Sequence, residues 1–89
     1  MNYKEHTKQR FKEKFRNNSI KELTDDDYYE ICNLCRNKNI LLEKKNKNGG
    51  KKMIINYNNV YMWCILSNKS KIVKTIYPID NCDRNYLNI

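Results

Sequence analysis

His6 and Arg10 stand one helical turn apart in the segment Tyr3-Lys4-Glu5-His6-Thr7-Lys8-Gln9-Arg10-Phe11-Lys12-Glu13-Lys14-Phe15-Arg16. A titratable imidazole beside fixed cations suits binding or cleaving a phosphodiester. Metal-independent RNA cleavage needs a base for the ribose 2′-hydroxyl, a proton donor for the leaving 5′-oxygen, and cations for the charge building on the phosphate. His6 is the candidate base or acid, Arg10 the bidentate grip on the phosphate, and Lys14 or Lys74 the second positive charge. Thr75 or Tyr77 would orient the scissile nucleotide, and Tyr61 or Trp63 would stack on a base. Each has a plainer role as well. A lone histidine on an amphipathic helix sits at a boundary, a cationic row is a solvated face, strand aromatics fill a core, and the Lys74 stem snorkels to an edge.

The charge is clustered. Of the formal +8, residues 1–16 carry +4, residues 17–42 carry −2, residues 43–52 carry +4, residues 69–74 carry +3 and residues from 75 onward carry −1. Clustering of this kind favours a polyanion partner over a uniformly solvated surface. The densest run, Lys44-Lys45-Asn46-Lys47-Asn48-Gly49-Gly50-Lys51-Lys52, is the expected main contact with nucleic acid. Codon bias from an AT-rich genome would also enrich lysine, asparagine and isoleucine at the expense of alanine, which the chain lacks.

With 89 residues and 39% hydrophobic content, the chain suits one small globular domain, expected over 1–79 with an irregular tail at 80–89. No apolar run reaches the roughly 18 residues that span a bilayer, and the N-terminus lacks the apolar core of a signal peptide. The expected location is cytoplasmic, with no membrane partner. Cys32, Cys35, Cys64 and Cys82 are then expected as reduced, buried thiols. Their spacing matches no common zinc site, and neither a metal nor a cofactor is expected. Gly49-Gly50 lies in a hairpin rather than before a helix, so it is no phosphate loop.

These side chains need elements to hold them. Tyr3, Thr7, Phe11 and Phe15 recur every four residues and predict a helix over 3–16, with His6, Arg10 and Lys14 in a parallel row and Asn17-Asn18 at its end. Ser19-Ile20-Lys21-Glu22 and Thr24-Asp25-Asp26-Asp27 are overlapping capping boxes before a second helix at about 25–37. That helix would bury Tyr28, Ile31, Cys32 and Cys35. From Asn39 the period changes to two, predicting strands at about 40–45, 51–57, 60–66 and 71–77. Turns at Asn48-Gly49-Gly50, Asn58-Asn59 and Ser67-Asn68-Lys69-Ser70 make these strands a meander.

The fold class expected is thus α+β, two helices followed by a four-stranded antiparallel sheet. The pleat sorts Met53, Ile55, Tyr57, Val60, Met62, Cys64, Val73, Thr75 and Tyr77 to one face. It sorts Ile54, Asn56, Tyr61, Trp63, Ile65, Ile72, Lys74 and Ile76 to the other. The helices are expected on the first face, leaving Tyr61, Trp63, Asn56 and Lys74 accessible.

His6-x-x-x-Arg10-Phe11-x-x-Lys14, the acidic start of helix 2 at Leu23-Thr24-Asp25-Asp26-Asp27-Tyr28, and the strand Ile72-Val73-Lys74-Thr75-Ile76-Tyr77-Pro78 together resemble small bacterial and phage domains of the DUF4258 type. Such domains are similar to the barnase/colicin E5–D/RelE group of compact α+β ribonucleases and toxins. The resemblance implies metal-free RNA cleavage and nominates His6, Arg10, Thr75 and Tyr77. The chain departs from the pattern with Thr7 in place of alanine and Lys14 in place of arginine. The implied partners are nucleic acid, RNA ahead of DNA, or a ribonucleoprotein, with a cognate protein inhibitor as a toxin's counterpart. Two other functions fit the same residues. One is a non-enzymatic, phage-encoded inhibitor of the anti-CRISPR kind that occupies a guide-RNA or DNA channel. The other is a protein-binding module that uses the open sheet face or the edge strand at 40–45.

Overall fold

A computed structural model describes residues 2–15, 20–47, 49–68 and 72–89. The expected helix end at Asn17-Asn18, the capping role of Ser19, and parts of the first and third turns at Asn48, Lys69 and Ser70 lie outside the described residues. The elements are α1 (Tyr3–Lys14), α2 (Asp25–Arg36), β1 (Leu42–Lys45), β2 (Lys51–Tyr57), β3 (Val60–Leu66), β4 (Val73–Pro78) and α3 (Asn81–Leu87). The strands form one antiparallel meander in the order β1-β2-β3-β4. The architecture is α+β, with a third helix in the segment expected to be irregular.

The four-residue stripe of α1 buries Thr7, Phe11 and Phe15, whose two rings stack with centroids 4.8 Å apart. Asn2 caps its first turn by accepting from the Glu5 N–H. In α2 the capping box is formed reciprocally: the Thr24 hydroxyl accepts from the Asp27 N–H at 3.1 Å and the Asp27 carboxylate from the Thr24 N–H at 2.8 Å. Tyr28, Ile31, Cys32 and Cys35 face inward as their spacing predicts. Both helices pack on the sheet face carrying Met53, Ile55, Tyr57, Val60, Met62 and Cys64. α1 lies closest to β4, and the Tyr28 hydroxyl donates to the Val73 carbonyl at 2.7 Å, tying α2 to the same strand.

Between β2 and β3 the two-residue turn Asn58-Asn59 has φ of 49° and 69°, left-handed values that asparagine tolerates, and it pairs Tyr57 with Val60. The expected faces of β2 and β3 hold. The expected faces of β4 do not. Leu66 pairs with Val73 but Ile65 with Thr75, so Lys74 is an extra residue in a bulge. Val73 stays on the helix face, and beyond the bulge the alternation reverses. Ile76 joins the helix-side core, whereas Thr75 and Tyr77 turn to the opposite face with Ile65 and Trp63.

That opposite face is covered in part, with Asn56 exposed there as expected. Asp80 caps α3 through a second reciprocal box with Asp83, and Asn88 ends the helix at φ 60°. Ile79 and Leu87 pack with Ile54, Trp63, Leu42, Tyr61 and Tyr77. The Trp63 indole N–H donates to Asp83 at 2.9 Å, so Trp63 is only 3% exposed and not the accessible platform its strand position suggested.

Candidate nucleic-acid interface

The hairpin lysines do not form one surface. Lys44 pairs with Lys52 and Lys45 with Lys51, so the pleat sends the first pair to the α3 face and the second to the helix face. On the α3 face the Lys52 ammonium lies 4.8 Å from the Trp63 ring centroid. Lys44 helps to hold the Asp83 carboxyl below the usual carboxylate range, where the larger cause is the Trp63 hydrogen bond. Arg84 lies 5.7 Å above the Tyr61 ring. Lys52 and Arg84 are thus engaged with the aromatic rings beside them.

On the helix face, Lys45 and Lys51 border a cleft of about 610 Å³ between the end of α2, the β1–β2 hairpin and the end of β3. Arg36 and Lys38 supply two more cations from the end of α2. Cys35, Met53 and Leu66 contribute apolar lining, and Asn46, Ser67 and Asn68 bring polar side chains. Gly50, at φ 75°, forms part of the wall because a Cβ there would stand 2.5 Å from the Leu66 carbonyl oxygen. Glu43 is the carboxylate among these cations. It accepts from Lys38 at 2.6 Å and stands 3.6 Å from Lys51, and the Lys38 bond above all holds its carboxyl below the usual range. Among the described residues neither Arg36 nor Lys45 has a carboxylate within ion-pair distance.

Other ion pairs join α1 to the start of α2 and the segment before it. Asp25 takes both Lys4, at 3.1 Å, and Lys8, at 2.9 Å, and these bonds lower its pKa while raising theirs. Lys12 pairs with Glu22 at 3.4 Å. Asp27 and Glu30 share the single proton of the Tyr57 hydroxyl, at 2.5 and 2.7 Å, and neither lines the cleft.

The residues nominated for cleavage are spread over the molecule. His6 is half-buried on α1, and among the described residues its imidazole makes no hydrogen bond or ion pair. Arg10 is 3.5 Å from Glu13 on the same helix, and Lys14 is exposed at the helix end. α1 packs on the helix face, whereas Thr75 and Tyr77 belong to the α3 face, where the Tyr77 ring stacks near Trp63 at 6.3 Å. Lys74 is half-buried at the bulge, Tyr61 is half-buried beside α3, and Lys47 is exposed in the hairpin. Lys45 and Lys51 are the nominated residues that line the cleft. Arg36 and Lys38 escaped sequence reasoning because they fall in a segment whose net charge is negative. Their signal was position: two cations directly after the apolar stripe of α2.

Cys32, Cys35 and Cys64 are buried free thiols, while Cys82 is exposed on α3, contrary to the expectation of burial. Burial pushes the Cys64 thiol well above its ordinary range. No group of histidine, cysteine, aspartate or glutamate suited to a metal ion occurs among the described residues. No helix there is long and apolar enough to cross a membrane. Compared with protein-family models, curated protein sequences and solved structures, the chain finds no match.

Proposed function

We propose that the protein is a small nucleic-acid-binding domain that holds single-stranded RNA through the cleft beside α2. The observation that carries this reading is the composition of the cleft: Arg36, Lys38, Lys45 and Lys51 around apolar lining, against the carboxylate of Glu43. Cations bind the phosphates in a sequence-independent way, an apolar surface receives a base, and the Asn46 and Asn68 amides offer donors and acceptors to a base edge. A single strand suits the site better than a duplex, because bases reach an apolar lining only when unpaired.

Cleavage is a second reading, favoured by the imidazole of His6 one turn from Arg10 with no hydrogen-bond partner among the described residues. It goes with the proposal that the chain is related to the barnase and RelE group, which the His6-x-x-x-Arg10 motif and the strand ending in Thr75-Ile76-Tyr77-Pro78 support.

Incubating the protein with total RNA in EDTA, then running denaturing and native gels at several salt concentrations, tests both. Intact RNA with a salt-sensitive mobility shift is the expected result. Degradation abolished by His6→Ala would establish the ribonuclease, and intact RNA with no shift at low salt would overturn both readings.

A further inference from the structure

A second concavity of about 600 Å³ shares Arg36 with the cleft and extends from it toward the N-terminal end of α2, bordered by Tyr3, Lys4, Tyr28, Tyr29 and Cys32. Tyr29, Cys32 and Arg36 are three and four residues apart, so they line one stripe of the helix from the second concavity to the cleft. Tyr29 is 52% exposed, and its ring meets Tyr28 edge-on at 5.7 Å. The Lys4 ammonium is 5.6 Å from the ring centroid and is itself anchored on Asp25. The ring is therefore positioned by neighbours on two elements while much of its surface stays open.

Resting on the RNA-binding reading, we propose that this concavity is a second nucleotide subsite, with Tyr29 as the stacking platform for a base. Arg36 is the shared clamp on the phosphate between this nucleotide and the one in the cleft. Tyr29 and Arg36 are seven positions apart on the helix, about 10 Å at 1.5 Å per residue, a span suited to a base and the phosphate that links its nucleotide to the next. The ligand class is a single-stranded oligonucleotide rather than a mononucleotide. A tyrosine face stacks on any base, so the subsite adds affinity with little sequence preference.

Fluorescence anisotropy with a labelled oligouridylate, and competition by uridine monophosphate, tests the proposal on wild type, Tyr29→Ala, Tyr29→Trp and Lys45→Ala/Lys51→Ala. The expected result is that Tyr29→Ala weakens oligonucleotide binding about five- to a hundredfold, the range found for base stacking. Tyr29→Trp should restore it, and the mononucleotide should compete equally against wild type and Tyr29→Ala. An unchanged oligonucleotide affinity in Tyr29→Ala, while the lysine pair weakens it, would overturn the subsite and leave the function reading standing. Failure of the wild type to bind the oligonucleotide would overturn both. The exposure of Tyr29 means that its replacement leaves the core intact, which a thermal melt of each variant checks.

Discussion

The two lysine pairs of the β1–β2 hairpin make the sharpest comparison available in this molecule. Lys44 and Lys52 are neighbours in the ladder, as are Lys45 and Lys51, yet the pairs face opposite sides of the sheet. If RNA binds through the cleft, Arg36, Lys38, Lys45 and Lys51 are the cations that displace counterions. For single strands the logarithm of affinity falls with that of salt concentration by about 0.7 per phosphate neutralised, so four contacts give a slope of about −2.8. Raising salt from about 50 to about 200 mM then weakens wild-type binding about 50-fold. In Lys45→Ala/Lys51→Ala the slope falls to about −1.4 and the same change in salt costs only about sevenfold. Lys44→Ala/Lys52→Ala removes the same formal charge from the same hairpin and should leave the slope near −2.8. Fluorescence anisotropy across a salt series measures all three slopes. Equal flattening by both pairs would refute the cleft and return the contact to undirected hairpin charge.

Removing the α3 cover should be visible through the chain's one tryptophan. Asp83→Ala deletes both the acceptor of the Trp63 indole and the reciprocal half of the α3 capping box, so the emission should move to longer wavelength and stability should drop by about 1–2 kcal/mol. An unchanged spectrum and urea midpoint would show that α3 does not protect this face. The Thr24 backbone N–H and then the Tyr57 hydroxyl hold the Asp27 carboxyl below its ordinary range. The stability this supplies is complete above the unfolded carboxylate value near pH 4 and is lost as pH falls through the lower folded value. In a circular-dichroism acid titration Tyr57→Phe should therefore shrink the loss of stability at low pH, at a cost of about 1 kcal/mol at neutral pH. An identical titration in both proteins would refute that linkage.

The local features of the chain were legible because each rests on a short-range preference. The stripe of α1, the Thr24 box of α2, the left-handed turn at Asn58-Asn59 and the alternation along β2 and β3 follow from helical period, capping and dihedral preference alone. The Asp80 to Asp83 box of α3 was equally local, but its asparagine-rich surroundings and lack of an apolar stripe concealed it.

Sequence alone also determined the clustering of positive charge and the lone histidine, and with them the range of chemistry open to the protein. Tertiary structure decided where that charge acts. The bulge at Lys74 moved Thr75 and Tyr77 away from the helix face, because an extra residue inverts every later position of a strand. Docking of α3 closed over Trp63, on whose ring Lys52 lies, whereas the cleft gathered Arg36 and Lys38 with Lys45 and Lys51 from separate elements. No local preference encodes such meetings, since they arise from how helix ends and hairpins pack on a finished sheet.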